Sequence, residues 1–428
     1  MKIAYWFKIA AFSMLLFAEI AVVGAQGVVR GDTVMTRPRP DYDAIGAPVG
    51  RFILYPEATL DFVYDDNILA EPKGATSPAL GDLYLSDLVT LLAPAIALRS
   101  DWSRNALNVG GRALSGRYNE YSSQDFTDWE LWTDGEYEFG PNRLIGNLSY
   151  SDLHEFRTSN DQRQGIFPTE FTLANAGVRY RFAPNRFYAG VALDFSKFDY
   201  DDAIGITDTG QLFTIDNQFR NRLQSELRLR AGYLLSPSYS LYAESRLYDW
   251  DYEAVPPPTP NFDQEGVDVV VGSDFDLTGV TSGNVFVGYR QIDYKSSAFQ
   301  KQTGPVFGAS VDWNITQLTT ITFLGSNRLL GTTFQNSSGI QAVAFGIGAD
   351  HELRRNVILS LDLAFIEEEY LQTPRTDDVT RISVGGEYFL NRYWSLNAGY
   401  RYQERESDSV NARQFEVNQF YLGIRGQI

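Results

Sequence analysis

Two histidines and no cysteine restrict what chemistry this 428-residue chain can perform at neutral pH. His154 lies in SDLHEF and His351 in ADHELRR, and each stands alone. Neither has a second imidazole at metal-ligand spacing, and no serine sits in a nucleophile elbow. The expectation is a protein that is not an enzyme and carries no cofactor or metal. The carboxylate clusters YDDN (64–67) and DYDD (199–202) have the residue types for calcium, or for the divalent ions that bridge lipopolysaccharide. Solvated loop charge is the plainer reading of both.

The functional side chain that recurs is arginine, and it recurs at every second position. In RLQSELRLRAGYLL (222–235), Leu223, Leu227, Leu229, Ala231 and Tyr233 fall on one face. Arg222, Gln224, Glu226, Arg228 and Arg230 fall on the other. That is a period of two, which belongs to a strand and not to an amphipathic helix. The same alternation returns in RFYAGVALDFSKF (186–198), NVILSLDLAFIEEEY (356–370) and RYWSLNAGYRYQER (392–405).

If the apolar faces meet lipid, the opposite faces line a lumen. That lumen receives Arg112, Arg179, Arg181, Arg228, Arg230, Arg246, Arg290, Arg381, Arg401 and Arg425, with Glu226, Glu244 and Glu387. Tyr118, Tyr188 and Tyr242 fall on the same side. On this count arginine outnumbers carboxylate inside. The acidic excess is expected in external segments, at Asp65, Asp66, Asp199, Asp201, Asp202, Glu367, Glu368, Glu369, Asp377 and Asp378. Guanidinium forks match carboxylates and phosphates, so such a wall would favour anions. Ladders of arginine and glutamate between neighbouring strands, such as Arg228 with Glu244, would instead neutralise and brace it. Both readings stand.

The elements that carry these faces follow from their connections. Short turns such as FGPNR (139–143), FAPNR (182–186) and LRRN (353–356) alternate with longer polar segments. The count is about eighteen strands, from 52–66 to 413–428. Sixteen is the alternative, because the first pair and the 263–315 region alternate less cleanly. An all-β transmembrane antiparallel barrel with both termini periplasmic is therefore expected. A soluble sandwich would need a shared apolar core, whereas here the second face carries charge in strand after strand. The loops at 67–83 and 201–216 are long enough to constrict the lumen.

Composition agrees. Aromatic residues make up 14% of the chain, and mean hydropathy is below zero. A lipid belt built from alternate residues hides from hydropathy averages. The net charge of −18 speaks against a nucleic-acid partner. Lys2, Lys8, an apolar stretch and Val23-Gly24-Ala25 read as a signal peptide over 1–25. A periplasmic arm (26–50) and the barrel (51–428) follow. The final strand, NQFYLGIRGQI, puts Phe420, Leu422, Ile424 and Ile428 on one face. It is similar to the terminal signal read by the outer-membrane barrel assembly machinery, although Gly426 and Ile428 depart from that pattern.

The segments RPRPDYDAIG (37–46), LYP (54–56), YDDN (64–67), LRSDWSRNAL (98–107) and FTDW (126–129) carry a resemblance. Together they resemble a family of outer-membrane β-barrels encoded with exopolysaccharide and capsule export systems in proteobacteria. The resemblance implies a channel for export of an exopolysaccharide, acidic in character, working with a periplasmic polysaccharide-export protein. It implies no catalytic residues. A general or anion-preferring diffusion porin is the alternative, and a closed barrel acting as surface adhesin or scaffold is another. The expected surroundings are outer-membrane lipid and lipopolysaccharide.

Overall fold

A computed structural model describes residues 31–428, apart from 161–164, 254–259, 335 and 410–411. The expected signal peptide lies outside the described residues. Eighteen long antiparallel strands close into a barrel. They are β1 (Phe52–Asp65), β2 (Asp87–Ser100), β3 (Ala106–Tyr118), β4 (Phe126–Phe139), β5 (Asn142–His154) and β6 (Glu170–Phe182). Next come β7 (Phe187–Tyr200), β8 (Arg222–Ser236), β9 (Tyr239–Tyr252), β10 (Gln264–Leu277), β11 (Thr281–Tyr294) and β12 (Gln302–Thr316). The last six are β13 (Thr319–Leu330), β14 (Ile340–Arg354), β15 (Val357–Tyr370), β16 (Arg375–Phe389), β17 (Trp394–Ser407) and β18 (Phe415–Gln427). Each pairs with its neighbours in sequence. Closure comes from β1 on β18, in register from Glu57↔Gln427 to Asp65↔Gln419. The barrel therefore has no free edge, which is the condition for strands to cross a bilayer.

Side-chain alternation settles which face is which. Val267, Val269 and Val271 of β10 point outward with Leu241 and Leu247 of β9, and Val269, Val271, Leu241 and Leu247 are strongly exposed. Asp268, Val270 and Asp274 of β10 point the other way and are buried. Phe420, Leu422 and Ile424 of β18 belong to the same outward belt.

Inside, tyrosines cover glycines. The Tyr188 ring lies so close to Gly232 that a Cβ there would sit 2.2 Å from a ring carbon, and Tyr242 covers Gly272 in the same way. Mid-strand glycines in this wall make room for neighbouring side chains.

Short turns gather at one end, which also holds the start of β1 and the end of β18. Long loops gather at the other. Gly140, at φ 61°, supplies the left-handed backbone that the two-residue β4–β5 turn requires. Residues 31–46 run along the inner rim of the turn end. A three-residue strand, Ala47–Val49, then folds back on β1.

Candidate functional site

Every arginine assigned to the lumen from the alternation faces inward. The strand register then decides which carboxylate each one meets. Arg112 stands directly opposite Glu130 across β3–β4, and their charged groups are 2.5 Å apart. Arg290 faces Asp268 across β10–β11 through two hydrogen bonds of 2.8 and 2.7 Å. Arg230 faces Glu244 across β8–β9 at 2.6 Å, and Arg246 takes the other oxygen of Glu244 at 2.7 Å. Arg228 pairs with Asp194 and with Glu226, the latter at 2.9 Å, so its partner is not Glu244. Arg179 approaches the same Asp194 at 3.9 Å. Arg425 pairs with Glu387, and Arg381 lies in the field of Glu368.

Two of the assigned arginines lack an ion pair among the described residues. Arg181 lies over the Tyr188 ring at 5.1 Å, and Arg401 over the Tyr421 ring at 4.5 Å. Among the described residues neither guanidinium touches a carboxylate directly, and Asp61 acts on Arg401 and Asp274 on Arg181 only at longer range.

The expected excess of arginine over carboxylate inside shrinks to near balance. Asp194, Asp268, Asp274, Glu130, Glu368 and Asp377 also face the lumen, and the sequence count left them out. Glu368 and Asp377 had been placed among external charges, but both are fully buried. They bind Arg405 at 2.9 and 3.0 Å. Asp65, placed outside with them, is buried as well and accepts from Asn67 N and Gln419 Nε2. The physical reason is that β15 and β16 extend further toward the loop end than their apolar runs suggest. Their charged ends therefore remain wall.

At the loop end residues 155–160 and 165–169, between β5 and β6, turn into the barrel mouth. Gln124 Nε2 donates to Ile166 O at 2.8 Å, and Arg157 Nε donates to Gln124 Oε1 at 2.9 Å. Arg220 pairs with Glu155. Ile166 N donates to Ile204 O at 2.7 Å, on the hairpin formed by Ala203–Ile206 and Leu212–Ile215. Residues 158–160 reach the wall on the far side of β1. Gln403 and Arg413 donate to the carbonyls of Thr158 and Ser159, and Arg405 Nη1 donates to Asn160 O at 3.2 Å. A cavity of about 120 Å³ remains beneath, lined among others by Tyr118, Arg157, Arg401, Gln403 and Gln419.

Burial and the neighbouring Arg413 hold the Arg157 guanidinium below the usual arginine range. Burial pushes the Glu71 carboxyl up, against the pull of Arg413.

The loop residues that turn inward are thus 155–160 and 165–169, which were not among the loops singled out. The 67–83 loop contributes only its start. Ala70 packs on the inward-facing Phe415 and Val417, and Asn67 Nδ2 donates to Glu416 O at 2.9 Å. The 201–216 hairpin backs Ile166 from behind. A sequence signal for the inward loop existed in the arginines beside its contacts, Arg405 and Arg413, which a lipid-exposed or fully solvated rim does not need.

The histidines have structural partners at opposite ends of the barrel. His154 Nδ1 meets Asp128 at 2.8 Å, and His351 Nδ1 meets Thr319 Oγ1 at 2.9 Å. Among the described residues no group of three or more His, Asp or Glu is placed to hold a metal ion. Asp66 binds Asn418, and Asp202 accepts from Asn217 N, so the two acidic clusters shape loop ends.

A family profile described as "Putative beta-barrel porin 2" matches residues 39–428. The chain belongs to that family. It is a porin-like barrel of the bacterial outer membrane and not an enzyme. No curated protein matches this chain. Solved structures with a similar course include Pseudomonas aeruginosa OccK2 (OpdF) in complex with glucuronate. It is 10% identical, with 88% of this chain and 98% of that one covered and a TM-score of 0.46. P. aeruginosa OccK9 (OpdG) is 9% identical, with 88% and 98% covered and a TM-score of 0.45. Acinetobacter baumannii OccAB4 is 10% identical, with 92% and 100% covered and a TM-score of 0.44.

Proposed function

We propose that this barrel is a diffusion porin for small polar solutes with weak charge selectivity. Eighteen strands enclose enough width for an aqueous path. The observation that carries the reading is the wall itself: it is polar and charged, yet most of its arginines are paired with carboxylates on the same strand or one to two strands away. A paired wall wets a channel without fixing a strong anion field. Arg181 and Arg401, outside these pairs, supply a modest preference for anions.

Export of an exopolysaccharide, with a periplasmic export protein as partner, is the second reading, and the motifs of 37–67 and 98–129 are what favour it. Segments of this chain lie inside both mouths, which supports passage of small solutes over a polymer. In either reading the turn end faces the periplasm, and the β18 strand is the handle for the assembly machinery.

Liposome swelling with neutral sugars of increasing size tests the proposal. Rates that fall steeply from mono- to trisaccharide are expected. Swelling that is absent for every sugar would overturn it in favour of a closed barrel serving as adhesin or scaffold.

A further inference from the structure

The segment before β1 belongs to the wall of the turn-end mouth. Its course follows the rim. Asn314 Nδ2, at the end of β12, donates to Asp32 O at 3.1 Å. Val34 N donates to Thr320 Oγ1 of β13 at 2.9 Å. The Val34 side chain is fully buried between Ile358 of β15 and Phe389 of β16. Arg39 pairs with Glu352 of β14 at 3.2 Å and also donates to Val34 O. Tyr42 packs on Phe389 with ring centroids 5.8 Å apart, and Tyr42 O accepts from Gln427 of β18 at 3.0 Å. Thr320, Glu352, Ile358, Phe389 and Gln427 all point into the barrel, so the segment lies inside the rim and not beneath it.

From this geometry we infer that residues 31–46 form a strap that narrows the turn-end mouth and limits flow through the barrel. Two kinds of contact hold it. One is an apolar peg, Val34, in a slot made by inward side chains. The other is the buried Arg39, which ties the strap to the wall and to its own backbone. The chain on either side of Arg39, RPRPD (37–41), is stiffened by Pro38 and Pro40, which fix φ. A stiff segment pinned at several points along the rim holds its place inside the mouth. The strap follows the rim from β12 to β18, just over a third of the circle, and thereby makes the turn-end aperture one-sided. Gly46, at φ 70°, ends it, and a Cβ there would fall 2.4 Å from the Ile53 side chain. The strap therefore leaves the rim at a position where other residues do not fit.

The inference rests on the diffusion reading, and two full-length variants test it in planar bilayers. The Val34→Asp, Arg39→Gln variant removes peg and tie together, and its release is scored by protease cleavage before Phe52. Because the strap is one chain thick in an opening a few chains wide, conductance should rise about 1.3- to 2-fold on release. Cleavage without a rise overturns the inference. The second variant, Asp41→Cys, places a lone thiol on an exposed strap position of a cysteine-free chain. A bulky thiol reagent should then lower conductance by at least about a third, while leaving the unsubstituted protein unaffected. Unchanged conductance after full modification overturns the inference too. If the intact protein conducts and neither variant changes it, only the strap inference fails. If neither the intact protein nor the released variant conducts, the diffusion reading fails.

Discussion

Glu244 is the carboxylate whose loss should be felt most. It holds Arg230 at 2.6 Å and Arg246 at 2.7 Å, and the Arg230 and Glu244 side chains are only 4% and 3% exposed. Two unit charges about 4 Å apart attract by about 4 kcal/mol at an effective dielectric near 20. Removing one partner of a buried pair also strands the other, at a typical net cost of about 3–5 kcal/mol. Arg230 keeps Asp274 at 3.6 Å, which places the cost of Glu244→Gln at the lower end, about 3 kcal/mol. The exposed pair Lys73–Glu416, with Lys73 71% exposed, is the control, and Lys73→Ala should cost under about 1 kcal/mol. Reversible urea unfolding in lipid vesicles measures both. A Glu244→Gln protein within about 1 kcal/mol of the parent would refute the view that these ladders brace the barrel.

Arg181 and Arg401 should behave in the opposite way. Arg181→Gln with Arg401→Gln should lower the anion-to-cation permeability ratio, read from reversal potentials in a salt gradient, while unfolding shifts by less than about 1.5 kcal/mol. Arg228→Gln should instead destabilise by about 2–4 kcal/mol, because it leaves Asp194 and Glu226 without their closest cation. Arg413→Gln removes donors to the carbonyls of Arg157 and Ser159. Single-channel records of that variant should show larger or noisier conductance with the fold intact by circular dichroism. Glu71 gives a pH dependence. Its folded-state pKa is raised by burial, so its ionised form weakens the fold above that value and the penalty disappears as pH falls. Glu71→Gln should therefore be as stable as the parent or slightly more so at pH 8. The two should converge near pH 4, as followed by thermal melts.

The strands were legible because lipid and water on opposite faces write a period of two into the chain. The first strand begins at Phe52, where the proline-broken segment yields to alternation, and the turns at 139–143 and 182–186 stand where the sequence puts them. Boundaries slipped where another interaction took over. The last strand, expected over 413–428, begins at Phe415, and the eighth begins no earlier than Arg222, since residues 218–220 form a single 3₁₀ turn and Phe219 packs against Phe262 and Phe299. The identity of the inward arginines was legible from parity alone. Their partners were not, because cross-strand register depends on turn geometry that spacing does not fix. The inward course of 155–160 and of 31–46 was not legible either. Both are irregular segments whose few anchors, Val34 and Arg39 in one and the carbonyls of Thr158 to Asn160 in the other, meet residues more than two hundred positions away. Apolar Val34 and Met35, between RGDT (30–33) and TRPRPD (36–41), were the trace of it.

The most direct test of the diffusion reading is single-channel conductance of the refolded protein in a planar bilayer, with a long acidic polysaccharide titrated on either side. The account predicts a steady, weakly anion-preferring conductance that small sugars share and that the polymer leaves unchanged. One-sided block by the polymer, with monosaccharides inert, would contradict it and favour export.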